Sequence, residues 1–368
     1  MCNIVTYAQG SLDPFRERPF CAVDSLVLAQ LAYLHLPAAA LPALCRWDGM
    51  PLRDLLRAEY FAGMFRQVRS PEDNRRLLSA VAASPRFRDV RVCGYTEQVD
   101  AGQEKQFGAV TFRLDGQTAY VAFRGTDSTL LGWKEDFNMA FQSPVPSQEE
   151  ALRYLEAAAR QCPGALLAGG HSKGGNLAVY AAMKCGAPAQ DRIVRIYSHD
   201  GPGFKEDVLN SGAFRRIGGR VDKTLPQSSV IGMLLEHQED FRVVRSTRAG
   251  LMQHDPFSWV VQGNAFCVVE QLSASARYMD RTLNAWIRQF NDQDRERFVD
   301  ALYGILNASE AETIPQLRAG WQRNIPAVAR AAAQTDPDTR AFLLRTVRAL
   351  AVLGVKNFPR PLRGGKEN

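Results

Sequence analysis

The spacing of hydrophobic positions changes twice along the chain and predicts three successive parts. Residues 1–88 carry apolar positions at helical spacing and predict a helical N-terminal segment. In residues 89–264 short apolar runs alternate with helical stretches, and this order predicts a mostly parallel central sheet flanked by helices. Residues 265–368 have a helical pattern throughout and predict a C-terminal region packed on that core. The predicted fold class is therefore α/β, with helical additions at both ends.

A hairpin is predicted in the first half of the middle part. Strand-like runs at residues 107–114 and 118–123 are joined by Asp115-Gly116-Gln117, an Asp-Gly turn of the kind that connects antiparallel strands. The second run ends in Arg124-Gly125-Thr126. A helix is predicted next, over residues 148–162, so the spacing indicates an antiparallel pair followed by a crossover helix.

A strand, a sharp turn and a helix are predicted over residues 165–182. Gly170 and Gly174 flank Ser172 in the pattern Gly-x-Ser-x-Gly. This pattern is typical of a nucleophile held in a strained turn, where a Cβ on either neighbour would collide with the chain. The serine would then lie at the amino end of a helix, where backbone N–H groups favour developing negative charge. We interpret Ser172 as a nucleophile, the alternative being an ordinary strand-to-helix turn.

A serine hydroxyl needs a neighbouring base, and the chain offers five histidines. His171 belongs to the turn itself and is expected to point away from the hydroxyl, whereas His35 precedes the sheet. Three candidates remain, namely His199, His237 and His254. His254 follows the last strand-like segment in a loop and is the predicted base, the alternative being a loop residue capped by Asp255.

The acid that orients the base is expected between the serine and His254. The candidates are Asp200, Glu206, Asp207, Asp222 and Asp240. Asp200 stands at the end of the strand that follows the Ser172 helix, and a tight Gly-Pro-Gly turn comes directly after it. We therefore predict Asp200 as the acid, the alternative being an Asx-turn that organises the loop.

Two segments could supply an oxyanion hole. One donor is the backbone N–H of Lys173, the residue after the nucleophile. The other is Thr126 in Arg124-Gly125-Thr126, where the glycine permits close approach. The alternative for the second segment is a simple β-turn with a side-chain bond from Asp127.

The same motifs resemble those of the class 3 (fungal-type) lipases, which are α/β-hydrolases. Their oxyanion segment reads Phe-Arg-Gly-Thr/Ser and their elbow reads Gly-His-Ser-Leu-Gly-Gly, whereas this chain has Phe123-Arg124-Gly125-Thr126 and Gly170-His171-Ser172-Lys173-Gly174-Gly175. The whole chain is similar to bacterial lipase-like proteins of unassigned function. The resemblance implies Ser172 as nucleophile, Thr126 and Lys173 in the oxyanion hole and His254 as base.

The chain departs from the class 3 pattern in two places. No carboxylate stands directly before the proline of residues 222–229, where that family usually has its acid, so Asp222 is only the runner-up to Asp200. Lys173 replaces the usual apolar residue after the nucleophile. Its side chain could be solvated at the helix start, contact an anionic head group or perturb the triad.

Composition narrows the choice of partners. The net charge of +6 is compatible with peripheral contact with anionic lipid, but acidic residues interspersed among the arginines favour an ordinary solvated exterior. The absence of a dense Lys/Arg block argues against nucleic-acid binding.

Seven dispersed cysteines without a Cys-x-x-Cys pair argue against a disulfide framework and a zinc site. The first residues do not resemble a signal peptide, and prolines and polar residues interrupt the apolar stretch 26–44, so we expect a cytoplasmic protein without a membrane span.

These observations predict a serine ester hydrolase of lipase or esterase type that needs no metal or cofactor and acts on a small-molecule or lipid acyl ester. Two alternatives come from other classes. One is a catalytically impaired hydrolase-fold interaction protein, which Lys173 and the displaced acid make plausible. The other is a thioesterase or peptidase of the same fold.

Overall fold

The computed structural model describes residues 2–37, 39–66, 68–127, 129–139, 142–235, 240–307 and 329–357. The strands are β1 (Met50–Pro51), β2 (Arg91–Asp100), β3 (Lys105–Arg113), β4 (Thr118–Phe123), β5 (Ala165–His171), β6 (Ile193–His199), β7 (Val221–Pro226), β8 (Phe241–Val244), β9 (Val261–Gln262), β10 (Ala265–Phe266) and β11 (Val268–Val269). The helices are α1 (Ile4–Gly10), α2 (Ala22–Leu31), α3 (Leu41–Leu44), α4 (Phe61–Met64), α5 (Pro71–Ala83), α6 (Leu130–Asn138), α7 (Pro146–Gln161), α8 (Lys173–Lys184), α9 (Ala187–Gln190), α10 (Glu206–Leu209), α11 (Gly212–Ile217), α12 (Ala274–Ile287), α13 (Asp292–Asn307) and α14 (Pro337–Asn357).

The central sheet has the strand order β1-β2-β3-β4-β5-β6-β7-β8-β11. Strands β4 to β8 are parallel, with helices in their connections. The strands outside this central block are antiparallel. The predicted α/β fold class is confirmed, and so is the hairpin with its Asp-Gly turn, which forms β3 and β4. Since the carboxyl ends of parallel strands share one edge, loops after β4, β5 and β6 meet there.

Strand β4 shows why both faces of the sheet are covered. Tyr120 and Ala122 point into one apolar cluster, while Ala119, Val121 and Phe123 point into the other, and all five side chains are buried. This alternation follows from the two-residue period of a strand. A strand with both faces buried needs a helical layer on each side.

The N-terminal segment supplies one of these layers. Helices α1, α2 and α5 share an apolar cluster with the sheet. Asp24 and Arg86 form a bidentate ion pair there, with no exposed side-chain surface, and Tyr7 also donates to Asp24. Helix α2 begins after Cys21, and the Asp24 carboxylate in its first turn accepts from the Cys21 N–H. Residues 1–88 are therefore a layer of the same core.

Helices α7, α8 and α11 cover the opposite face of the sheet. The C-terminal pattern was interpreted as helical from residue 265, but Val268 and Val269 form an edge strand beside β8, opposite Val244 and Val243. The run of apolar residues at this point was too short to distinguish a strand from a helix by spacing. No described helix is long and apolar enough to cross a membrane.

Candidate active site

Ser172 occupies the sharp turn between β5 and α8. Its backbone has φ 58° and ψ −133°, in the left-handed half of φ space that residues with a Cβ rarely adopt. A Cβ on Gly170 would lie 2.4 Å from the Gly174 carbonyl carbon, and one on Gly174 would lie 2.1 Å from the Phe123 carbonyl oxygen. The two glycines are therefore required for the turn to close.

Asp200 and His254 are joined by a hydrogen bond of 2.6 Å between the Asp200 Oδ2 and the His254 Nδ1. Asp200 follows β6 with a positive φ of 51° and is fully buried. Its other oxygen, Oδ1, accepts from the Ser229 hydroxyl and from the Gly232 N–H. A carboxylate held by these donors fixes the proton of His254 on Nδ1, which leaves Nε2 free to accept one.

Ser172 and His254 line the same cavity. Their side chains are mostly buried but keep accessible surface, as a group that reacts with a bound molecule must. Among the residues that the structure describes, the Ser172 hydroxyl makes no hydrogen bond with His254. The catalytic hydrogen bonds of unliganded enzymes are often long and tighten only when substrate is bound.

Thr126 lies at the start of the loop after β4. Its hydroxyl donates a hydrogen bond of 2.5 Å to the Asp136 carboxylate, whose pKa burial raises to about 6. A Cβ on Gly125 would lie 2.5 Å from the His171 carbonyl oxygen, so only glycine lets this loop approach the elbow. Lys173 is the first residue of α8 and has no carbonyl within the helix to receive its N–H. The structure thus brings the two predicted oxyanion segments to the same cavity.

The Lys173 side chain is buried, which excludes the solvated helix start among the three interpretations of this residue. Its ammonium donates to the Glu135 carboxylate at 2.8 Å and to the Gln106 carbonyl at 2.9 Å. Glu135 is itself fully buried and also accepts from the backbone N–H groups of Gln106 and Ser147. The Lys173 side chain thus links α8 to α6 and β3.

His171 holds the loop that carries His254, a contact that sequence reasoning missed. Its Nε2 donates to the His254 carbonyl oxygen at 2.8 Å, its Nδ1 lies 3.2 Å from the Tyr33 hydroxyl, and its ring lies 4.5 Å from the His254 ring. Burial lowers the pKa of His171 well below its usual value, so the ring is neutral. A neutral ring that donates through Nε2 can only accept through Nδ1. The Tyr33 hydroxyl lies beside that nitrogen and donates to the His171 carbonyl oxygen at 3.1 Å.

The other candidates lie elsewhere or in other contacts. His199 is buried at the end of β6, where its Nε2 is 2.9 Å from the Ser25 hydroxyl, and His35 pairs with Glu97. Asp222 lies near the amino end of β7 and pairs with Arg242, so it does not contact His254. Residues 236–239, which include His237, lie outside the described residues.

The cavity that Ser172 and His254 line has a volume of about 1070 Å³. It lies between the carboxyl edge of the sheet and the C-terminal helices. This volume is slightly above the usual range of about 300–1,000 Å³ for small-molecule sites. The C-terminal region contributes apolar side chains from α12, from α13 and from the turn between them, namely Leu283, Trp286, Ile287, Phe290, Phe298 and Val299.

Sheet order and elbow together define an α/β-hydrolase fold. The model of the Mbeg1-like family matches residues 81–304. The chain therefore belongs to the Mbeg1-like family. The match runs from the end of α5 into α13 and includes the elbow and the Asp200–His254 pair.

The chain is also similar to solved structures of fungal lipases. The Rhizomucor miehei lipase in complex with its propeptide aligns with 65% of this chain and 67% of its own, at 14% identity and a TM-score of 0.37. A fungal lipase–inhibitor complex aligns with 65% of this chain and 78% of its own, at 14% identity and a TM-score of 0.38. No curated protein matches the chain.

Proposed function

We propose that the protein is a serine hydrolase that cleaves carboxylic ester bonds of acyl substrates, as lipases and esterases do. The observation that carries this proposal is the cavity in which a strained Ser172 and a His254 bonded to Asp200 are both accessible. Nucleophilic catalysis needs a hydroxyl, a base and a group that fixes the tautomer of the base. Membership of a lipase-like family supports the same class of reaction.

The reaction proceeds through an acyl-enzyme. Ser172 Oγ attacks the ester carbonyl while His254 Nε2 takes its proton, and Asp200 stabilises the imidazolium that forms. The N–H groups of Thr126 and Lys173 stabilise the oxyanion. His254 then gives the proton to the leaving alkoxide, and a water molecule releases the acid by the same steps in reverse. These steps use only side chains, backbone N–H groups and water.

A fluorophosphonate probe tests the nucleophile directly, because it labels only activated serines. We expect labelling of the native protein, none of the Ser172→Ala variant, and full labelling of Ser79→Ala, which changes an exposed serine on α5. Loss of p-nitrophenyl ester hydrolysis should accompany loss of labelling. An unlabelled native protein would favour the non-catalytic interaction protein, and faster turnover of acyl-thioesters or peptides would favour the other alternative.

A further inference from the structure

One cationic side chain at the cavity lacks an acidic partner. The arginine and lysine side chains that line it are Arg69, Arg124, Lys173, Arg248 and Arg295. Four of them form ion pairs, Arg124 with Glu97, Lys173 with Glu135, Arg248 with Asp255 and Arg295 with Asp292. Arg69 differs, because its guanidinium has no ion pair or hydrogen bond with any residue that the structure describes.

The backbone that carries Arg69 is held in place. The buried Asn74 donates from its amide to the Arg69 carbonyl at 2.7 Å and to the Ser70 carbonyl at 3.1 Å. Gln30 of α2 in turn donates to Asn74 at 3.1 Å. The Arg69 side chain therefore extends from a fixed point at the start of α5.

Arg69 lines the same cavity as Ser172 and His254. Its positive charge acts on His171, whose pKa is lowered mainly by burial, and on Tyr33, whose pKa burial raises. Tyr33 donates to His171, which directly precedes Ser172. Apolar side chains of α12 and α13 form part of the cavity wall. Among the residues that the structure describes, the cavity thus combines one unpaired cation with the serine and an apolar wall.

We propose that Arg69 binds the phosphate of a single-chain phosphorylated acyl ester, a lysophospholipid, while its acyl chain lies along the apolar wall. This inference rests on the proposed function, since it names the substrate class of the same site. A guanidinium matches phosphate with two parallel hydrogen bonds, and such charge-assisted bonds are the strong ones. Lys173 is not available to bind the phosphate, because its side chain forms a buried ion pair with Glu135.

Two matched substrates isolate the phosphate. Monomyristoylglycerol and its 3-phosphate carry the same acyl ester and differ only in the anionic group, and both are used below their micelle concentrations. We expect native protein to favour the phosphate, and Arg69→Gln to lower the ratio of the two kcat/KM values roughly tenfold or more. Arg69→Lys should keep part of the preference. Arg160→Gln, which changes an exposed arginine on α7, should keep it fully.

Binding to the Ser172→Ala protein, measured by calorimetry, tests the phosphate contact independently of turnover. We expect the phosphate ester to bind more tightly than the neutral ester, and Arg69→Gln in this background to abolish the difference. Equal affinity for the two ligands would overturn the inference. Equal turnover of both esters would also overturn it. So would faster turnover of myristoyl-CoA than of the phosphate ester, if Arg69→Gln lowers that preference, because Arg69 would then bind a thioester substrate instead of a lysophospholipid. Failure to hydrolyse either ester, with Ser172 unlabelled, would instead overturn the proposed function.

Discussion

At the scale of single residues, burial distinguishes the histidine proposed as catalytic base from the histidines that hold the fold together. His254 keeps a free Nε2 and reaches the cavity, whereas His171 and His199 are buried and neutral. Position along the chain predicted His254 by elimination. It could not predict that His171 would bind the His254 carbonyl, because the two residues are 83 positions apart and only the fold brings their loops together.

The buried histidines predict loss of stability in weak acid. Burial lowers the pKa of His199 to about 3, well below that of an unfolded histidine near 6.5. Below about pH 6.5 the histidine of the unfolded chain binds a proton that the folded protein does not. The free energy of unfolding therefore decreases as the pH is lowered. For His199 the loss between pH 7 and pH 5 is about 2 kcal/mol. His171 shifts in the same direction, whereas Asp136, with a raised pKa, partly offsets the loss.

Urea unfolding at pH 7 and pH 5 checks this expectation. His199→Gln keeps a polar atom near the position of Nε2 but cannot titrate, so its stability should depend less steeply on pH than that of the native protein. His35→Gln is the control, because His35 is half-exposed and already paired with Glu97. If the stability of His199→Gln depended on pH as steeply as that of the native protein, His199 would be protonated in the folded protein at pH 5.

At the scale of elements, the central strands and helices could be predicted because they carry regular spacing. The hairpin, α7 and the β5–α8 unit all follow from period and turn chemistry. Local spacing does not predict the structure where contacts between residues far apart in the chain determine it. After residue 255, for example, Pro256–Ser258 is a 3₁₀ turn because Asp255 caps the Phe257 N–H, and Val261–Gln262 pairs with β10. The burial of Lys173 likewise depends on Glu135 of α6, which no pattern near the elbow could reveal.

The Lys173–Glu135 pair predicts an asymmetric response to substitution. Lys173→Met leaves Glu135 with the N–H groups of Gln106 and Ser147, so we expect a cost of roughly 1–3 kcal/mol. Glu135→Ala leaves a buried ammonium and two N–H groups without their acceptor, so we expect about 3–5 kcal/mol. Urea unfolding measures both.

Lys184→Met is the matched control, because Lys184 is exposed at the other end of α8. It should change the free energy of unfolding by less than about 0.5 kcal/mol. Equal losses of stability for Lys173→Met and Glu135→Ala would contradict the assignment of Glu135 as the shared acceptor of the Lys173 ammonium and the two N–H groups.

At the scale of the whole molecule, the three parts of the chain meet at one cavity. The N-terminal layer contributes Tyr33 and Arg69, the sheet contributes the Ser172 elbow, and the C-terminal helices contribute an apolar wall. The sequence predicted the three parts and the chemistry of the middle one. It could not assign chemistry to the outer two, because their residues gain a role only through packing around the carboxyl edge of the sheet.

The apolar wall predicts the acyl-chain preference of the proposed hydrolase. Ile287 ends α12 and lines the cavity, so Ile287→Trp should fill space that a long acyl chain would occupy. Each methylene excluded from the cavity forfeits about 0.8 kcal/mol, so losing two or three should lower kcat/KM for the p-nitrophenyl palmitate ester roughly tenfold or more. The butyrate ester, which is too short to reach α12, should be affected much less. Leu344→Trp, at an exposed position of α14, is the control and should leave the ratio of the two kcat/KM values unchanged. Equal losses for both esters in Ile287→Trp would mean that the acyl chain does not extend toward the C-terminal helices.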